Sequence, residues 1–554
     1  LGRQAKGHDV TFAEMVRKLS ELLPDGVEGT DEALADPVVR VRPERLHEAC
    51  KVLCDALGFD TLRLITAIDR PPEVVEVTWH LLSLQGRGGT LVVKVRLPRE
   101  APHVASVADV WAVADWFERE QYDLMGVVFD GHPNLTRLLL PVDWVGHPLR
   151  KDYVRPDTYH GIPTSREAVT PVRQVSAPLH LPKAPETEGL MLLNMGPHHP
   201  ATHGVLNFLI ETDGEIVRRA TPDIGYLHRG IEKLAEQNAY AGTMPYTDRV
   251  DYLGGMFTNQ AWAMAVERLA GIEVPRRAEF CRVIVCELNR IASHLIGTGS
   301  LAMDVGAFTP FIHWLRERET LNDLMERICG ARLTYTYMRL GGVARDLDAQ
   351  TLERILLWAD HFEVIADEFD RLITTNEIFV KRLADLAVLT PADALSYGVV
   401  GPNLRASGIP WDLRRDEPYS VYPELEFDVP VGLGWRGQVG DSYDRFVVRL
   451  IEMRQSLRIL RQAIAMLPEG EVRAKVPRVL KVPANEGYAR VEAPRGEAGF
   501  YVVSDGTDRP WRVRIRTGCF TAMPVIGHLS PGLMVADIVA LIGSLDVIAP
   551  EVDR

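Results

Sequence analysis

Apolar residues along the chain fall into two rhythms separated by a lapse. Near the N-terminus Val75, Val77, Trp79 and Leu81 alternate with Glu76, Thr78 and His80, and Leu91, Val93, Val95 and Leu97 repeat the pattern after a Gly-rich turn. Period two predicts a half-buried antiparallel hairpin. Val107, Trp111, Ala114 and Phe117 then share one helical face, and Ser106 with Asp109 three residues on gives a capping-box-like start, so a helix is expected from about Ser106. Residues 1–163 are thus expected to form a small α+β domain.

Periodicity stops over residues 164–189, which read TSREAVTPVRQVSAPLHLPKAPETEG and are rich in Pro, Ser and Thr. That composition predicts a linker. Beyond it short strands are expected at Leu190–Asn194, Val205–Glu211 and Glu215–Ala220, followed by long helical patterns such as Leu352, Ile355, Leu356, Ala359, Phe362, Phe369 and Ile373. Strand composition returns at Tyr488–Val503 and Trp511–Arg516, and a last apolar helix is expected over Gly532–Ile542. The fold class expected is α+β, with the small N-terminal domain linked to a mainly helical bundle over 190–554 that carries a small β element.

A length of 554 residues exceeds what one ordinary core organises. No apolar run approaches the roughly eighteen residues that a membrane-spanning helix needs, so any membrane role is expected to be peripheral. The formal net charge of −14, without a dense Lys/Arg cluster, argues against nucleic acid as a partner. Cys50, Cys54, Cys281, Cys286, Cys329 and Cys519 form no Cys-x-x-Cys pair and no spacing suited to an iron–sulfur cluster or structural zinc. They read as buried thiols in a reducing compartment. Cys281 and Cys286 in particular lie on a helical pattern through Phe280, Ile284, Leu288, Ile291 and Leu295. The first residues carry no apolar signal core, and a start at Leu1 leaves a trimmed leader open.

Five strings bear on chemistry. Gly432-Leu-Gly434-Trp-Arg-Gly437 matches a dinucleotide fingerprint on paper, but no helix opens inside it as phosphate binding requires. Glu118-Arg119-Glu120 with Asp123, by charge alone, reads as a solvated or ion-paired surface. Met195-Gly-Pro-His198-His199-Pro-Ala-Thr-His203-Gly204 puts three imidazoles in a Gly/Pro-rich turn; a His-x-x-x-His pair that binds metal prefers a helix face, which Pro200 opposes. His203 remains a candidate donor of a proton or hydrogen bond to a ligand. The run from Pro222 to Leu234, with His228, Arg229, Glu232 and Lys233, and the run from Pro245 to Leu253, with Asp248, Arg249, Asp251 and Tyr252, read equally well as ion pairs within a bundle.

Taken as strings, these passages resemble a known family. The run around Glu118–Gly126 with Gly131–Tyr153 is similar to the C subunit of the proton-pumping NADH:quinone oxidoreductase, respiratory complex I, which braces the iron–sulfur arm against the D subunit. From about Leu190 to Arg554 the HPATHG turn, SHLIGTGSLAMDVGAFTP, LGGVARDL, GDSYDR and GSLDVIAPEVDR resemble the D subunit in one order. The D subunit is in turn related to the large subunit of nickel–iron hydrogenases. The four positions matching that protein's cysteines are Asp251, Gly254, Ile548 and Glu551, none a thiolate, so a soft nickel–iron centre lacks its ligands.

The resemblance implies an oxidoreductase subunit with quinone as substrate and no cofactor held by this chain alone, electrons arriving from an iron–sulfur cluster on the B subunit. It places the quinone headgroup ligands on His203 and Tyr252, the acid pairing with that histidine on Asp304, and the arginine approaching the cluster on Arg229. Partners implied are the B, I and G subunits of the peripheral arm and the H and A subunits of the membrane arm, at the cytoplasmic side of the cell inner membrane, in an assembly that couples the reaction to proton translocation. Two alternatives stand beside this: a host complex driven by ferredoxin or a deazaflavin, and a non-catalytic scaffold, which suits the N-terminal domain alone. One position departs from the family, Thr334 standing where many members have histidine, which puts proton-coupled tuning of the cluster through that side chain in doubt.

Overall fold

The computed structural model describes residues 12–31, 34, 36–84, 89–164, 189–198, 202 and 204–554. The expected hairpin is present as Val74–Ser83 paired antiparallel with Gly89–Pro98, and Trp79 sits opposite Val93 as the alternation requires. It belongs to a five-stranded sheet ordered Val27–Asp31, Val38–Val41, Gly89–Pro98, Val74–Ser83, Thr61–Arg70. The expectation of a half-buried surface is corrected: Glu76, Thr78 and His80 are buried along with the apolar positions opposite them. Period two reports which residues alternate, not whether a second layer covers the polar face. Here the C-terminal half covers it, and His80 lies edge-on to Tyr501 at 4.9 Å.

The helix expected from Ser106 begins later, at Ala114, and runs to Met125. Ser106 does not cap it. Its hydroxyl instead donates to Glu118 at 2.5 Å, and Val107 N donates to the same carboxylate at 2.8 Å. The acidic run on this helix is corrected too: Glu118, Glu120 and Asp123 are buried. Asp123 accepts from the backbone of Leu138, Leu139 and Leu140 and pairs with Arg137 at 2.7 Å, so it folds the following loop onto the helix.

In the second half the three short strands appear as Met191–Met195, Asn207–Asp213 and Ile216–Asp223, one antiparallel sheet. The helical patterns appear as a bundle built on Arg276–Asp304, which packs against Phe308–Cys329, Ser442–Ala465 and Val535–Leu545. Cys281 and Cys286 are buried in it, as their spacing predicts. The stretch of strand composition at Tyr488–Val503 is a hairpin, Asn485–Ala493 with Gly496–Ser504, continued by Pro510–Arg516. Its turn depends on glycine: Gly496 has φ +104°, and a Cβ on the facing Gly401 would lie 2.3 Å from the Gly496 Cα. The α+β class therefore holds, with more β structure in the second half than periodicity indicated. Most of residues 164–189, the expected linker, lies outside the described residues.

The halves meet at two strand edges that exchange no ladder bonds. Arg512, Arg514 and Arg516 on Pro510–Arg516 point their Nε atoms at the carbonyls of Ala67, Ile65 and Arg63 on Thr61–Arg70, at 3.1, 3.2 and 3.5 Å, and Trp511 Nε1 reaches the Asp69 carbonyl at 3.0 Å. Alternate side chains of one strand thus satisfy alternate carbonyls of an edge that would otherwise be open. Carboxylates from both halves neutralise the guanidinium row. Glu120 holds Arg514, and Arg554 at 2.8 Å, while Glu232 takes Arg512 at 2.7 Å and Arg514 at 3.2 Å.

Candidate functional site

Tyr252 and Asp304 come from separate elements. Asp304 is the last residue of Arg276–Asp304, half-buried, and a Cβ added to Gly543 on Val535–Leu545 would lie 3.1 Å from its Oδ2. Tyr252 follows the short helix Tyr240–Thr247 and packs half-buried against an apolar cluster that includes Leu253, Ile542 and Leu545. Burial raises its phenol above the usual range, against the pull of Arg495, with Asp251 and Asp546 adding to the rise. Asp546 caps Val535–Leu545 in a left-handed conformation, φ 56°. His203 and its neighbours 199–201 lie outside the described residues. Flanking them, His198 N donates to Gly204 O at 3.0 Å, and Gly196 has φ +109° because a Cβ there would meet Leu206 O at 2.2 Å.

Arg229 is exposed on the turn before Ile231–Gln237. That turn is held by the far C-terminus. Asp553 accepts from Gly225 N at 2.9 Å and Leu227 N at 2.6 Å, and His228 Nδ1 contacts the Asp553 carbonyl at 2.7 Å. Arg229 itself donates to the Arg249 carbonyl at 2.5 Å, so it is placed by a main-chain acceptor. Next to Arg249, Asp248 is buried and accepts from Thr336 N at 3.0 Å, from the Thr336 hydroxyl and from Asn259 at 3.0 Å. Burial pushes its carboxyl up to about 6, with Thr336 and Arg249 opposing. This bond fixes the loop bearing Thr334, which with Thr336 occupies left-handed φ, 51° and 42°, a conformation β-branched residues seldom adopt.

The positions expected at Asp251, Gly254, Ile548 and Glu551 do come together, around an ion cluster. Arg495 spans Asp251 at 3.2 Å and Asp546 at 3.3 Å. Cys519 Sγ lies 2.8 Å from Glu551 Oε2, and Ile548 N donates to the same sulfur at 3.4 Å. A Cβ on Gly254 would fall 2.3 Å from Asp251 Oδ2. Sequence reasoning missed Arg495, Asp546 and Cys519, since nothing in the APRG turn or at a helix C-cap marks them before the tertiary contacts are known. The Gly432–Gly437 string forms a loop before Ser442–Ala465 in which Gly434 N donates to Asp444 at 2.8 Å, so the peptide groups a phosphate would need are turned to a carboxylate. Among the described residues no helix is long and apolar enough to cross a membrane.

A family model described as the respiratory-chain NADH dehydrogenase 49 kDa subunit matches residues 304–482 and 475–554, and one for the 30 kDa subunit matches residues 39–159. The D 1 subunit of the NADH-quinone oxidoreductase of Anaeromyxobacter sp. (strain K) is 61% identical over 364 residues, 66% of this chain and 96% of the relative. The C/D subunit of the Gluconacetobacter diazotrophicus enzyme is 38% identical over 540 residues, covering 91% of this chain and 88% of its own. Its counterpart in Acidiphilium cryptum, also a C/D subunit, is likewise 38% identical, over 559 residues, 94% of this chain and 93% of its own. Both halves and their order are matched in single relatives, and the chain belongs to the family of fused C and D subunits of NADH-quinone oxidoreductase, respiratory complex I.

Proposed function

We propose that the C-terminal half forms the quinone-reduction site of the complex, with Tyr252 and His203 as headgroup donors and Asp304 as the acid that orients the histidine. The observation supporting this most directly is that Asp304 lies against Gly543 of Val535–Leu545 while Asp546, the C-cap of the same helix, is among the charges acting on half-buried Tyr252. Two-electron reduction puts negative charge on both quinone oxygens, and each requires a donor as that charge develops. Tyr252 and His203 supply these donors. Asp304, accepting the other imidazole N–H, sets the tautomer and favours the protonated ring. An iron–sulfur cluster on the B subunit supplies the electrons, and Arg229, a permanent cation on a turn fixed by Asp553, faces that partner.

In this reading residues 1–163 brace the arm, residues 164–189 link it, and residues 190–554 carry the site. The neighbours are the B, I and G subunits, with H and A in the membrane, at the cytoplasmic side of the inner membrane. Loss of negative pairing at Asp304 as the histidine becomes neutral is the charge change that starts proton translocation.

The test uses membranes carrying Tyr252→Phe, with NADH oxidised either by a short quinone or by ferricyanide, which accepts electrons upstream. Loss of the quinone rate by at least about a hundredfold with the ferricyanide rate intact is expected. Equal quinone rates in variant and parent reject the assignment and leave a scaffold. For the coupling role, an Asp304→Asn complex that still reduces quinone is expected to pump fewer protons per electron pair; an unchanged ratio rejects it.

A further inference from the structure

Beside Tyr252 the cluster of Asp251, Arg495, Asp546, Glu551, Cys519 and Arg449 is closed to solvent, each side chain from a different segment. Among the described residues it sets three carboxylates against two guanidiniums. A buried surplus negative charge is costly, and the usual resolution is that one acid keeps its proton. Geometry selects which. Asp251 and Asp546 lie 3.2 and 3.3 Å from Arg495, whereas Glu551 Oε2 is 4.0 Å away. Glu551 Oε1 accepts from Gly518 N at 3.1 Å, which marks it as the carbonyl oxygen, while Oε2 points at Cys519 Sγ.

A protonated Glu551 completes a chain of donors. With the acid protonated, Oε2–H donates to Sγ and the thiol turns its own proton to the Asp546 carbonyl at 3.7 Å; with the acid ionised, the thiol donates to Oε2 at 2.8 Å. An ionised Glu551 would draw the thiol proton toward itself and leave the surplus charge facing Asp251. The cluster is also built to close tolerance. The space occupied by Asp251 Oδ2 exists because residue 254 is glycine, and that of Asp546 because residue 297 is glycine, where a Cβ would lie 2.8 Å from Oδ1. Asp546 Oδ2 and Arg449 Nε, 3.9 Å apart, are both buried without a hydrogen bond, so the site holds polar capacity in reserve.

We propose that Glu551 is a proton-holding carboxyl, and that it is the source that restores the proton of Tyr252 whenever that phenol has given its own to the reduced quinone. The first half stands on the cluster; the second rests on the quinone reading above. In the transfer the Glu551 O–H bond breaks, the Tyr252 O–H bond re-forms, and the Glu551 carboxylate regains its proton between turnovers from water that must reach the otherwise closed cluster. No electron moves. Asp251, held by Arg495 in the same cluster, is the charge that acts on Glu551 most, raising that acid, with burial, to about 7. Arg495 and Cys519 oppose the rise.

Infrared pH titration of the oxidised holocomplex tests the first half without turnover. A carboxylic C=O band that disappears around neutral pH in the parent and is absent from Glu551→Gln is expected. Asp251→Asn removes the charge that raises the acid, so the midpoint falls by a unit or more. Cys519→Ala keeps the carboxyl but removes its acceptor, shifting the C=O frequency. No such band, or a midpoint indifferent to Asp251→Asn, overturns the proton-holding assignment. For the second half, Glu551→Gln is expected to slow NADH:quinone turnover about tenfold or more below neutral pH, where the parent carboxyl holds its proton, and progressively less above it, with the ferricyanide rate unchanged. Unchanged quinone turnover overturns the link to Tyr252. Failure of the Tyr252→Phe experiment overturns the quinone reading while leaving the band in place.

Discussion

Glu120 shows how far one side chain's meaning depends on burial. Within the Glu118–Asp123 run its charge pattern is that of a surface helix, yet it is buried against two guanidiniums, Arg514 and Arg554. Glu120→Ala leaves both unpaired in the interior and is expected to destabilise the chain by about 3–5 kcal/mol, read from chemical denaturation. Glu120→Gln keeps the shape and is expected to cost less. Glu417 makes the same point with pH. Burial would raise it, but Arg63 from the N-terminal half and Arg490 from the C-terminal half outweigh that and hold it at about 2. Because its folded pKa lies below the unfolded value near 4.3, its stabilisation is fully present above that value and is lost as pH falls toward 2. The slope of unfolding free energy against pH in that window is expected to be smaller in Glu417→Gln; an identical slope rejects the pairing. None of these partners was legible in sequence, since 394 positions separate Glu120 from Arg514 and 354 separate Arg63 from Glu417.

Among elements, those with a strong single period were legible and those defined by their neighbours were not. The helix through Leu352–Ile373 appears as Ala349–Phe369 with a π-helical turn after it, and the three short strands appear within a few residues of expectation. By contrast the fully buried edge strand Thr61–Arg70 has polar and apolar residues buried alike, so it offered no alternation to read. The helix expected from Ser106 on the Ser106–Asp109 spacing starts only at Ala114, because the Ser106 hydroxyl bonds to Glu118 within the helix instead of capping a turn at its own position. For the proposed site, Tyr252 came from the family resemblance carried by the Pro245–Leu253 string, whereas the turn supplying Arg495 depends on close approaches such as Gly401 facing Gly496. Gly401→Ala, at φ +65° and with backbone atoms 2.3 and 2.5 Å from the new Cβ, is expected to displace that turn and destabilise by about 2–4 kcal/mol. A thermal midpoint equal to the parent's would show the turn to be compliant.

At the scale of the whole molecule, the two halves are joined by buried guanidiniums on backbone carbonyls and on carboxylates rather than by exposed ion pairs. Screening by salt acts weakly on such contacts. A protease site engineered into residues 164–189 and cut is therefore expected to leave the two pieces co-eluting at high salt, while Arg514→Met in the cut protein separates them. Separation of the cut parent protein at high salt would show that the covalent connection carries the association.

The arginine row also imposes an order in time. Ala67 leaves the ribosome 445 residues before Arg512, the side chain that satisfies its carbonyl. At about 5–20 residues per second, that edge strand stays uncovered for roughly 20–90 s during synthesis. Throughout that interval the nascent sheet presents unpaired carbonyls to any other strand nearby, and the segment most in need of a chaperone is the one whose partner is made last.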